Sequence, residues 1–493
     1  MKPIFFIIFL FSTIFTQAQY ITPNSNVNWN LDSLVAHSNG AVISTGVNTY
    51  QITQDLTIDL SDSFSILSGA TVIIHENITL TIFGNFVVND LQTTFTALDQ
   101  NNPYRGFRFE EESNTSINNA ILEYGGGLKV ISSIFHLENS IIRNNQDILT
   151  TGAVIELSHG IPEIISNTFE NNTKPAISSA GNVQVSPIID NNIIQNNNTS
   201  NSNRPQINLG PSEENFQGII SNNIILGTSD NEMVGGIAIS TLLGGVGNNR
   251  IENNEINNNR YGIAILGNNH TVEIINNLIL DNNTQNEPMF GGSGINLNGS
   301  TSSVAILSSN TIEGNLWGIT VQGAFEVNMG SPEIDGIISG ENRFYNNGNG
   351  GAVYALYNNT PLDIQAPNNC WNNSTTNTLE TAENVIFHNV DDNLLGTVHF
   401  NPLWNCYGVG IEENISEQIT FYPNPTTDYF TINLSNENKI ISYQLYNAIG
   451  KLIKAKSIIS NEKVSLLNES RGIYFLKING KNIESSVIKI IKE

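Results

Sequence analysis

Positive charge is what this 493-residue sequence has least of: 20 Lys and Arg stand against 45 Asp and Glu, a net charge of −25. Between Ile21 and Gly410 the only bases are Arg105, Arg108, Lys129, Arg143, Lys174, Arg204, Arg250, Arg260 and Arg343. A phosphate-binding surface needs clustered bases, so nucleic acid is excluded as a partner. With 2 cysteines, a disulfide-stapled scaffold or a multi-cysteine metal site is excluded as well. Beyond the first residues there is no apolar run long enough to span a bilayer, so no transmembrane helix is expected in the mature chain. Nowhere do apolar residues recur at the 3.6-residue helical period, which excludes an architecture of amphipathic helices.

The apolar run that does exist is at the start. Met1-Lys2-Pro3 precedes an unbroken stretch from Ile4 to Leu10, which continues to the small-residue exit Thr16-Gln17-Ala18-Gln19. It reads as a secretory signal peptide over residues 1–19, cleaved after Ala18 or Gln19. Charge is also unevenly placed. From Glu412 onward 9 acids face 10 bases, so nearly the whole negative excess precedes that point and a domain boundary is expected near Gly410. The two cysteines each lie beside a tryptophan, in Cys370-Trp371 and Trp404-Asn405-Cys406. In an exported chain such a pair reads first as a disulfide closing the central region. A thiol nucleophile served by His388 or His399 is the alternative.

What the sequence has in excess is asparagine, 78 residues of it, and most follow a pattern. The motif I-x-x-N-x-φ-x-x-N, with φ a large apolar residue, places its leading Asn at Asn119, Asn139, Asn167, Asn192, Asn223, Asn254, Asn277, Asn310, Asn342 and Asn368. Two residues later stand Ile121, Ile141, Phe169, Ile194, Ile225, Ile256, Ile279, Ile312, Phe344 and Cys370. A second Asn follows at Asn144, Asn172, Asn197, Asn259, Asn282, Asn315, Asn347 and Asn373, with Tyr124 and Thr228 in its place twice. A unit of 20 to 33 residues is a solenoid signature, in which each copy buries its apolar face only against the next. β-branched residues and a G-φ-x-φ signal, as in Gly262-Ile263 and Gly318-Ile319, make the units strands. Asn tolerates the left-handed backbone of a sharp corner, and stacking coils about 4.8 Å apart lets amides at one corner bond as a ladder. The expected architecture is an all-β parallel β-helix with an Asn ladder from Asn139 to Asn368, over residues 51–406, behind a lead-in and cap at 20–50.

Residues 51–405 resemble the secreted right-handed parallel β-helix repeat proteins, a superfamily that includes the pectate lyases. Carrying the resemblance are the opening Phe64-Ser65-Ile66-Leu67-Ser68-Gly69, leading to Leu80-Thr81-Ile82-Phe83-Gly84-Asn85, and the closing Gly396-Thr397-Val398-His399-Phe400-Asn401-Pro402. After a linker at 407–417, residues 418–493 alternate as six or seven short strands of a small antiparallel sandwich. Phe421-Tyr422-Pro423-Asn424-Pro425, Tyr446-Asn447-Ala448-Ile449-Gly450-Lys451, Arg471-Gly472-Ile473-Tyr474 and Lys489-Ile490-Ile491-Lys492 resemble the type A C-terminal sorting domain of the type IX secretion system. That resemblance implies a Gram-negative member of the Bacteroidetes, engagement of the type IX machinery through residues 418–493, and release or retention at the outer-membrane surface.

Chemistry is harder to find. A lyase on this fold needs a group to neutralise the uronate, commonly Ca²⁺ on clustered carboxylates, and a base; a hydrolase needs paired carboxylates. No recognised motif of either kind is present. The least poor catalytic candidates are Arg260 with Tyr261, and His270 on the following loop: a neutral His or Tyr could act as base beside an Arg that holds a carboxylate. No cofactor is expected, apart from Ca²⁺ were the protein a lyase. The expected function is therefore an exported binding protein, adhesin-like, that takes an extracellular polysaccharide or another surface without catalysis. A polysaccharide lyase or hydrolase is the alternative. Any site is expected in the irregular loops, such as Asn198 to Phe216 and Gln285 to Gly292.

Overall fold

The computed structural model describes residues 19–89, 91–148, 151–300, 302–330, 339–371, 377–404, 420–433, 441–447, 451–458, 462–480 and 483–493. The signal peptide up to Ala18, Asn373, Cys406 and the 407–417 linker lie outside the described residues. The chain divides into two units, 1–406 and 407–493.

In the first unit, short strands recur in threes and build three long sheets. Among the described residues, sheet I has 14 strands, from Gln19–Ile21 to Ile386–Phe387; sheet II has 13, from Val42–Gly46 to Arg343–Tyr345; sheet III has 14, from Asn28–Trp29 to Val398–His399. Every neighbouring pair is parallel except the hairpin of Val42–Gly46 with Thr49–Ile52. This is a right-handed parallel β-helix. One coil runs through Ile237–Ser240 in sheet I, Gly247–Glu252 in sheet III and Glu255–Asn257 in sheet II, and the next coil repeats it in register. The coil begins earlier than residue 51. Gln19–Ile21 already pairs in parallel with Asp55–Thr57, and Asn28–Trp29 with Ser63–Phe64. The cap within this segment is the helix Leu31–His37, which Asn30 opens through a capping box with Ser33 and which buries Leu31 and Leu34.

Inside the coil, a large apolar residue, Ile or Phe, repeats along the axis. Ile142, Phe169, Ile194, Ile225, Ile256, Ile279, Ile312 and Phe344 are all fully buried, or nearly so, and form one stack in sheet II. The Asn ladder lies at the corner between sheets III and II. Each side-chain Oδ1 accepts from the backbone N–H and Nδ2 of the preceding coil's Asn, and each Nδ2 also donates to a backbone carbonyl. Asn223 donates at 3.0 Å and 2.9 Å to Asn254 Oδ1 and at 2.8 Å to the Ile189 carbonyl. The same arrangement runs from Asn167 through Asn192, Asn223, Asn254, Asn277, Asn310 and Asn342.

At its ends the ladder departs from the expected register. Ser140 and Asn369, not Asn139 and Asn368, occupy the buried ladder position: Ser140 N–H donates to Asn167 Oδ1, and Asn369 Oδ1 accepts from Asn342 at 2.9 Å. Asn139 and Asn368 are the residues just before, at φ +50 and +59. Corner and ladder are thus separate jobs on adjacent residues. The left-handed residue is Asn191, Asn222, Asn253 or Asn276, and the buried amide is one position on. Where an Asn-Asn or Asn-Ser doublet occurs, a one-residue slip in reading exchanges the two, and it turns each following side chain to the other face. Leu122 and Ile142, not Ile121 and Ile141, accordingly point inward, and Trp371 stacks on Phe344 in line with the core, with ring centroids 4.9 Å apart. Cys370 is disulfide-bonded.

A second ladder runs at the corner between sheets II and I, through Asn145, Asn172 and Asn197 and again through Asn259, Asn282, Asn315 and Asn347. Here too Asn144 is the left-handed residue and Asn145 the ladder residue. Thr228 breaks this ladder, and its Oγ1 and Asn259 Oδ1 are buried without partners.

The second unit holds a three-stranded and a four-stranded antiparallel sheet among its described residues, from Thr420–Tyr422 to Ile483–Lys492. Its core is Phe430, Ile432, Tyr443, Leu445, Val464, Leu466, Tyr474, Leu476 and Ile490.

Candidate functional site

Alternation along a strand sends every second side chain of sheet I outward. Register then stacks these side chains in one column: Arg108, Lys129, Glu156, Ser178, Asn208, Ala238, Ala264, Asn296, Thr320, Tyr357 and Phe387. A second outward column runs Ser240, Leu266, Asn298, Gln322. The chemistry changes along the first. It is ionic early, where Lys129 pairs with Glu156, then amide, hydroxyl and methyl, then aromatic.

Over the middle of this face lies a groove of about 1110 Å³. Its floor is Asn208, Ala238, Ala264, Asn296 and Thr320; Asn203, Arg204 and Pro205 form one wall with Pro288, Met289, Phe290 and Gly291. Leu242 and Leu243 rise from the loop after Ile237–Ser240 on the other side. Trp317 and Tyr357 stand at the far end, their ring centroids 5.1 Å apart, with Tyr354 at 4.7 Å from Trp317 and Phe387 stacked on Tyr357 at 4.5 Å. Trp317 Nε1 donates to the Pro288 carbonyl at 3.1 Å, which fixes the indole. Thr320 Oγ1 donates to Asn296 Oδ1 at 2.9 Å, so the floor's polar groups are mutually oriented.

The lining residues are amides, hydroxyls, aliphatics and aromatics. Arg204 carries the only formal charge among them, and they include no Asp, Glu, His or Lys. Such a surface can hold hydroxylated rings by stacking and hydrogen bonding. It offers no carboxylate pair for hydrolysis and no carboxylate cluster for Ca²⁺. No group of three or more His, Cys, Asp or Glu among the described residues is placed to hold a metal.

The three candidate catalytic residues do not come together. Arg260 is buried and donates from Nη1 to Asn203 Oδ1 and from Nη2 to the Phe290 carbonyl, so it ties the two segments of that groove wall together from behind. Tyr261 lies against Gly235, where an added Cβ would fall 2.2 Å from its ring, and burial pushes its hydroxyl up to about 12. A phenol so hard to ionise is poorly suited to act as a base. His270 opens a sheet III strand rather than sitting on a loop, at the opposite end of Ile263–Gly267 from Arg260. Its Nε2 lies 3.0 Å from the Leu266 carbonyl and 3.0 Å from Thr241 Oγ1, and burial holds its pKa below the ordinary value.

Sequence reasoning named two loops whose residues line this groove but missed the aromatic cluster and the floor. Trp317, Tyr354 and Tyr357 are spread over three strand or loop positions, and only sheet register shows that they meet. A smaller depression, of about 490 Å³, lies at the corner after Ile155–Leu157 and brings Glu111, His159 and Glu213 together with Phe216. Glu213 accepts from the Gly160 N–H at 2.8 Å, with His159 Nδ1 at 4.0 Å.

Fold and face define a right-handed parallel β-helix with a groove over sheet I. Residues 420–493 match the secretion system C-terminal sorting domain, the type IX signal, and the second unit is such a domain. The chain is therefore one handled by that machinery for secretion to the surface or the extracellular space. Among characterised proteins, β-agarase A of Zobellia galactanivorans is 33% identical over 78 residues, 15% of this chain and 14% of that protein. The chain thus matches about one seventh of that relative's length, a stretch about as long as the sorting domain. Among solved structures, the periplasmic alginate epimerase AlgG is similar at TM-score 0.42 and 12% identity, over 76% of this chain and 82% of that one. A double mutant of the same epimerase gives 0.42 and 12%, over 76% and 83%. No helix among the described residues is long and apolar enough to cross a membrane.

Proposed function

We propose that the protein is a glycan-binding coil carried across the outer membrane of a Gram-negative bacterium by the type IX route, and that the sheet I groove is its binding face. One observation carries the reading: the groove combines a fixed aromatic cluster and oriented amides with a lining free of carboxylate, His and Lys. Coils stack about 4.8 Å apart, close to the repeat of a linear pyranose chain, so successive floor residues can each meet one ring. Adhesion follows from binding without turnover. A glycan array probed with the full chain tests this, followed by Trp317→Ala, which should weaken any binding about tenfold or more. Binding unchanged in that variant would move the site elsewhere on the coil; silence across the array would end the glycan reading.

The alternative, a polysaccharide-cleaving enzyme, is favoured by the corner where Glu111, His159 and Glu213 converge. Unsaturated or reducing ends released from a polysaccharide panel, and lost in Glu213→Gln, would establish it.

A further inference from the structure

The groove carries more apolar surface than ring stacking alone requires. Leu242, Leu243, Met289 and Phe290 are 69%, 77%, 91% and 64% exposed, and all four come from two loops that face the same groove. Large apolar side chains gathered in this way on an exported protein mark a contact surface. Beneath them, the floor column loses its polar groups for two coils: Ala238 and Ala264 stack in register between Asn208 and Asn296. The result is a shallow apolar pit with amides on either side.

We propose that this pit selects neutral glycans whose rings bear methyl or acyl substituents, such as N-acetyl or O-acetyl groups, over fully hydroxylated ones. The proposal rests on the glycan-binding reading and names its ligand class. Amides at Asn208 and Asn296, one coil beyond the alanine pair on either side, suit hydroxyls on flanking rings. An acetyl methyl between them would lie on the two alanines under Leu242 and Met289. A fully hydroxylated ring at that position would leave hydroxyls facing apolar atoms without partners. The lining has no cluster of bases to draw uronate or sulfate groups, and the chain's charge of −25 repels polyanions.

The test compares matched neutral ligands on the full chain by titration calorimetry: chitohexaose against cellohexaose, and acetylated glucomannan against the same polymer after alkaline deacetylation. The expected result is tighter binding of the substituted member of at least one pair, by roughly tenfold, the scale on which a hydrophobic pocket discriminates one extra apolar group. In the double variant L242S/M289S that preference should fall below threefold while Trp317→Ala weakens both members alike. A preference under threefold in both pairs overturns the substituent proposal and leaves the groove a glycan site. Failure of every ligand to bind, with silence on the array, overturns the glycan reading itself. A dimer in light scattering that the double variant dissociates would assign the pit to a second copy of the chain, and would also overturn the proposal.

Discussion

A ladder asparagine is a buried amide whose donor and acceptor are both spent, so removing it strands a backbone N–H, a carbonyl and a neighbouring side chain at once. Asn254→Ala should cost about 2–4 kcal/mol, as loss of amide exchange protection in the coils on either side. Changing the adjacent left-handed Asn253 to Gly should cost only a few tenths of that. The contrast separates two roles that a run of Asn-Asn conceals. The ladder gap gives the opposite prediction. Thr228→Asn places an amide beside the partnerless Asn259 Oδ1 and should raise the thermal midpoint, by about 1 kcal/mol of added stability. Asp62 sets a pH limit on the first coil. It is fully buried, and its carboxylate accepts from the N–H groups of Asn24, Ser25 and Val27 at 3.0, 3.0 and 2.9 Å. Burial pushes its pKa up, but the donors around it, Thr22 and the Val27 and Ser25 amides among them, more than offset this and hold it below the ordinary value. A depressed folded pKa contributes stability above the unfolded value and loses it as pH falls through the folded one. Protection of residues 22–29 should therefore decline below about pH 4, and Asp62→Asn should remove that pH dependence.

At the scale of the element, the loops are what the coil holds rather than what holds it. Arg260 joins the Asn203 loop to the Phe290 loop, and Arg260→Met should loosen the wall they form together. Ligand affinity should drop severalfold while the melting of the sheets shifts little, measured by calorimetry beside circular dichroism. The sequence made the coil legible because one residue type recurs at one corner and because β-branched residues fix the inward stack. It made the two loops legible as irregular stretches between regular copies. The groove was not legible, since Ala238, Ala264, Thr320 and Tyr357 belong to one column only once the strands are aligned, and the spacing between copies varies from 20 to 33 residues. The doublets at Asn139-Ser140 and Asn368-Asn369 failed for the same reason: without the neighbouring coil nothing distinguishes the corner residue from the buried one.

For the whole molecule, the second unit is the address, and on the proposed reading the coil is the binding surface. Deleting residues 407–493 should leave the coil folded but retained inside the cell envelope, as read by fractionation and immunoblotting with the full chain as control. The same deletion should leave the thermal midpoint of the coil unchanged, because its core closes within 1–406.

The ladder bonds run only between successive turns and never across the molecule, so nothing in them counts how many turns there are. A duplicated turn would inherit a bonded neighbour above and below, and a deleted one would let its neighbours bond directly. Length is accordingly set at the ends, by the Leu31–His37 helix at one and the closing strands Ile386–Phe387 and Val398–His399 at the other. A lineage could lengthen or shorten this face by whole turns through unequal recombination, without redesigning its interior.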